Sequence, residues 1–216
     1  MAAPERRSAP QEANLALIWG PRAEPAIDDE VALAAFMDDA AQTFAHRAVE
    51  GYTRARARRD PDALLARPDI AGLVERASAE AFPIALTLVA ETVESALVPQ
   101  AYDRVAQLRG LIAVAQVTFA RRPEPAAMTA SAWTTARAEL VRWLGNATRH
   151  PPRTTDAIVE PFVGPLLALM PIHDDLGRDD FPLLRAALRE DLARVRERFA
   201  ARVNAPTLAK ALAGRA

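Results

Sequence analysis

Within residues 172–180 the chain places His173, Asp174, Asp175, Asp179 and Asp180 between apolar stretches. Carboxylates this closely spaced suit a hard divalent cation that keeps several waters and bridges to diphosphate oxygens, and a histidine beside them offers a nitrogen ligand. His173, Asp174, Asp175 and Asp180 are therefore the candidate metal-ligating residues. No other segment gathers as many chemically active side chains.

The run Ile172-His173-Asp174-Asp175-Leu176, with Asp180 at the sixth position after Asp174, resembles the first aspartate-rich motif of the trans-prenyl diphosphate synthases, which are all-α enzymes. The resemblance implies that Asp174, Asp175 and Asp180 hold magnesium ions that bind and ionise an allylic diphosphate. It covers about nine residues, a length at which chance matches are frequent. That family's second aspartate-rich motif has no counterpart in the 36 residues after Asp180, and its lysine-bearing motif has none upstream, because the sole lysine is Lys210. Gly177 and Pro182 also interrupt the continuous helix on which the family carries its motif. A simpler reading makes Asp179 or Asp180 the N-cap of a final helix, with Pro182 in its first turn, where a missing amide costs little.

Three further groupings are legible on helices. Asp39, His46 and Glu50 fall on one face of a first long helix, a spacing able to hold a metal, yet Arg47 and Arg54 share that region and a solvated charged face is the plainer reading. Arg54, Arg56, Arg58 and Arg59 point in several directions and complement a helix C-terminus rather than a nucleic-acid stripe. Glu80, Thr87, Glu91 and Glu94 share one face of a later helix and read as a hydrated face, since the Glu-x-x-His pattern of helical di-iron proteins is missing.

Composition narrows the classes. A chain of 216 residues holds one substantial domain. Half the residues are apolar but only 6% are aromatic, and alanine and leucine make up the balance, which points to helices packed closely through small side chains. No segment sustains the period-two alternation of a half-buried strand, so no sheet is expected. With 27 basic and 28 acidic residues, the chain lacks the field that gathers nucleic acid or an anionic membrane. The absence of cysteine excludes disulfides, thiolate zinc sites, iron–sulfur clusters and a cysteine nucleophile. Neither a Ser-His-Asp set, a Gly-x-Ser-x-Gly turn nor a phosphate-cradling glycine loop is present. Every basic residue but Lys210 is arginine, which with the alanine load reads as a GC-rich bacterial genome. The apolar run from Ala13 to Trp19 is short for a secretory leader, and the longest uncharged apolar run, 161–172, falls well short of the ~20 residues of a spanning helix. A soluble cytoplasmic protein without a membrane span is expected.

Residues 1–25 read as a flexible arm interrupted by apolar Asn14 to Gly20, residues 26–203 as a helical bundle, and 204–216 as a tail or short helix. Asp28 or Asp29 caps the first long helix, whose stripe is Leu33, Phe36, Met37, Ala40, Ala41, Phe44, Ala48 and Tyr52. Asp69 caps a helix that Pro83 should kink or restart. The helix from Tyr102 to Arg122 is apolar on two sides and should be the most buried, with Gly110 allowing a neighbour close approach. Thr129 or Ser131 starts another, and a proline-interrupted helix follows from Asp156 to Met170. The last amphipathic helix runs from Phe181 to Val203.

The fold predicted is an all-α, single-domain bundle of about six or seven helices. The function expected is that of a non-catalytic protein acting through protein–protein contacts, with a partner or as a homo-oligomer, in an assembly or regulatory role and with no cofactor. Two apolar segments, Asn14 to Gly20 and Phe162 to Ile172, give a partner something to cover. The alternative is a divalent-cation-dependent binder of, or enzyme acting on, a phosphorylated or polyprenyl ligand through residues 173–180.

Overall fold

The computed structural model describes residues 24–57, 60–171 and 180–214. Among them the chain is all-α, and its one β-type contact is an isolated parallel bridge between Ile27 and Val203.

Helix α1 spans Glu30–Arg56, and the Asp29 carboxylate accepts from the Ala32 amide at 2.7 Å to cap it. Its whole predicted stripe, from Leu33 to Tyr52, is buried. Asp60 caps the single turn α2, Pro61–Leu65. Helix α3, Pro68–Leu97, is the axis around which α1, α4 (Arg104–Ala120), α5 (Ala130–Gly145) and α8 (Phe181–Arg202) pack. Asp103 caps α4 through the amides of Val105 and Ala106, and Thr129 caps α5 through that of Ala132.

Three local expectations are corrected. Asp69 does not cap α3: Arg67 stands at the cap position without a side-chain bond, Pro68 opens the helix, and the Asp69 carboxylate turns back to Arg67 at 2.7 Å. Proline suits that first position because its missing amide would have had no helical acceptor. Pro83 does not restart α3, which runs unbroken through it. The cost of one lost hydrogen bond falls in the densest part of the molecule, where Ala81 to Leu97 is almost wholly buried and packing holds the helix together. For the same reason α3, not α4, is the most enclosed helix; α4 leaves Val105 and Val117 exposed. Helix α3 is also long and apolar enough by composition to cross a membrane, and 83% of its most apolar window is buried inside this chain.

Residues 155–167 form α6 (Thr155–Val159), a tight turn at Glu160–Phe162, and α7 (Val163–Leu167), in place of one interrupted helix. The segment packs on α8, and Val163, Leu166, Leu167 and Met170 are buried. This chain therefore covers most of that apolar segment itself. The other apolar segment, Asn14 to Gly20, lies outside the described residues. Helix α9, Ala205–Gly214, folds back onto α4. A Cβ on Gly110 would stand 2.1 Å from the Leu212 carbonyl oxygen, so this crossing requires glycine.

Candidate ligand groove

An open groove of about 950 Å³ runs between α1, α3 and the turn that follows α4. Gln42, His46 and Glu50 line it from successive turns of α1, a direct result of their four-residue spacing. Across from them α3 presents Ala71, Val74, Glu75, Ser78, Ala79 and Phe82. Pro123, Pro125 and Trp133 close one end, where the Trp133 ring lies on Phe119 with centroids 4.3 Å apart. The small side chains of Ala71 and Ala79, beside bulky Val74 and Phe82, leave the space open.

The cations of the groove are already answered. Arg122 binds Asp38 through two 2.7 Å hydrogen bonds, reaches Gln42 at 3.0 Å, and lies over the Phe82 ring at 5.2 Å. Arg47 pairs with Asp191 at 3.1 Å. Glu50 lies between His46 at 3.0 Å and Arg54 at 2.8 Å, and Arg54 also holds Asp62. Glu75 has no counter-ion among the described residues.

Of the residues singled out for metal binding, His173, Asp174 and Asp175 lie outside the described residues. Asp180 is buried. It stands at the cap position of α8, but its carboxylate does not cap the helix: Oδ2 accepts from the Tyr52 hydroxyl at 2.7 Å and Oδ1 faces Arg56 at 3.5 Å. The grouping of Asp39 with His46 and Glu50 is not assembled, because Asp39 pairs with Arg198 at 2.6 Å. Among the described residues no three histidine, aspartate or glutamate side chains converge as a metal site.

A second constellation is closed rather than open. Thr87, Glu91 and Glu94, read as a hydrated face, are buried beneath α5 and the segment after it. Glu94 accepts from Arg104 Nε at 2.8 Å, while the same guanidinium donates to the carbonyls of Ala147 and His150. Glu91 accepts from Trp143 Nε1 at 2.6 Å and pairs with Arg153 at 3.1 Å. Burial pushes the Glu91 carboxyl above its ordinary range, against the lowering pulls of Trp143 and Arg153. These contacts join four elements around the buried acids, so the arrangement is a clamp. Its sequence signal is the placement of Glu91 directly after the apolar run Leu88-Val89-Ala90, where no solvated face fits.

No protein-family model matches the sequence, no curated protein matches it, and no solved structure matches its fold.

Proposed function

We propose that the protein is a soluble, cytoplasmic, non-catalytic helical protein that works through contact with a partner protein, seating an amphipathic helical segment of that partner in the groove between α1 and α3. The observation that carries this reading is the groove itself. It is open and about 950 Å³ in volume, its cations are neutralised from its rim, and the surface left to a ligand is chiefly aliphatic and aromatic. A helix laid in such a trough buries one apolar stripe and keeps its charged face in water. The burial of α3 within the chain supports a soluble protein. The test is selection of helical peptides displayed on phage, counter-screened on an Ala71→Phe variant. Ala71 is an exposed residue on the groove wall, so the larger side chain fills the trough without touching the core. Peptides that bind the native protein should bind this variant at least about tenfold more weakly, equivalent to ~1.4 kcal/mol. Equal binding to both proteins would remove the groove from the account.

One observation favours the cation-dependent reading. A cleft of about 360 Å³ between α1 and α8 is lined by Arg47, Arg54 and Arg194 and also by Tyr52, which holds Asp180. All three arginines are paired with carboxylates, so a phosphorylated ligand would have to displace them. That reading predicts a rise in unfolding midpoint when magnesium and diphosphate are added together, ~2.7 kcal/mol at a hundredfold excess over the dissociation constant. An unchanged midpoint would retire it.

A further inference from the structure

The groove's electrostatics specify its occupant more closely, an argument that rests on the groove reading above. Each arginine that borders the groove already answers at least one carboxylate. Among the described residues Glu75 answers none, and it lies one helical turn before Ala79 on the same wall. Pro83, four residues beyond Ala79, has no amide hydrogen, so the Ala79 carbonyl lacks the helical donor that every ordinary residue would give it. The Ser78 hydroxyl donates to the Val74 carbonyl at 2.7 Å and turns only lone pairs outward. This stretch of wall is therefore rich in acceptors and poor in free donors, and it flanks the apolar surface of Phe82 and Trp133.

We propose that the segment seated in the groove carries a lysine or arginine at the edge of its apolar stripe, and that this cation sits against the Glu75–Ala79 wall. An acidic or neutral side chain there would leave Glu75 unanswered, whereas a cation completes the pattern in which every other charge at the groove has a partner. The long apolar stem of lysine or arginine also lies well along an aromatic surface.

Two synthetic amphipathic helices of about 16 residues, long enough for partial helicity in water, provide the test. They are identical except that one has lysine and the other norleucine at the position flanking the leucine stripe. Binding to the full chain is measured by calorimetry at low and high salt, and again with Glu75→Gln. The lysine peptide should bind about three- to fivefold more tightly at low salt, as an exposed ion pair allows. That preference should shrink at high salt and vanish in Glu75→Gln. Equal affinity of the two peptides for the native protein overturns the cation while leaving the groove reading intact. A preference that survives Glu75→Gln also overturns it, because the charge would then be read elsewhere. If neither peptide binds, the groove reading falls with it.

Discussion

The Tyr52 hydroxyl donates to Asp180 Oδ2 across 2.7 Å, fastening the last turn of α1 to the first residue before α8. Both groups are buried, and Arg56 faces the other oxygen of this carboxylate at 3.5 Å. One position of the aspartate-rich segment thus serves as an anchor between two core helices.

Tyr52→Phe should therefore destabilise the protein by about 1–3 kcal/mol, the cost of leaving a buried acceptor without its donor. Urea unfolding measures it. Because the ring remains in place, a loss near zero would mean that the hydroxyl contributes nothing to the joint.

Glu91 links the buried clamp to pH. Its folded pKa is raised, chiefly by burial, so the native state holds this proton more tightly than the unfolded chain does. Stability from this group is thus greatest below the unfolded value, about pH 4.3, and falls as pH rises through the higher folded value. Glu91→Gln retains an acceptor for Trp143 and removes that slope. Chemical unfolding of both proteins across about pH 4 to 7 should show their difference in stability changing with pH in this direction; parallel curves would contradict the assignment.

Glycine positions offer a paired test. Gly110→Ala places its methyl against the Leu212 backbone and should cost about 1–3 kcal/mol, despite alanine's better helix propensity. Gly72→Ala, on an exposed turn of α3 with nothing within 4 Å, should instead stabilise by up to about 1 kcal/mol. Amide exchange across Ala205–Gly214 should quicken in the first variant and not in the second.

Local signals explain which parts of this fold were legible. The stripe from Leu33 to Tyr52 depends on a helix's own periodicity and reads directly from the chain, and the caps read to within two residues, Asp29 over Asp28 and Thr129 over Ser131. The misread carboxylates of α3's buried face have partners on other elements. Glu94 looks solvated until Arg104, ten residues on, folds over it, and Glu91 until Trp143, 52 residues on, does the same. Pro83 looks like a breaker because its neighbours in space, not in sequence, hold α3 together. The groove is likewise a void between helices, assembled by His46 of α1, Phe82 of α3 and Trp133 of α5, and helix patterns carry no record of such spaces.

The groove between α1 and α3 is the proposed site of partner binding. Fluorine NMR of protein labelled with fluorotryptophan tests it most directly, because Trp133 lines the groove while Trp143 is held by Glu91 in the closed clamp. Resonances assigned through Trp133→Phe and Trp143→Phe should respond differently to a bound amphipathic helix: that of Trp133 moves with saturation, and that of Trp143 stays. A bound peptide that leaves the Trp133 resonance unmoved would contradict the account.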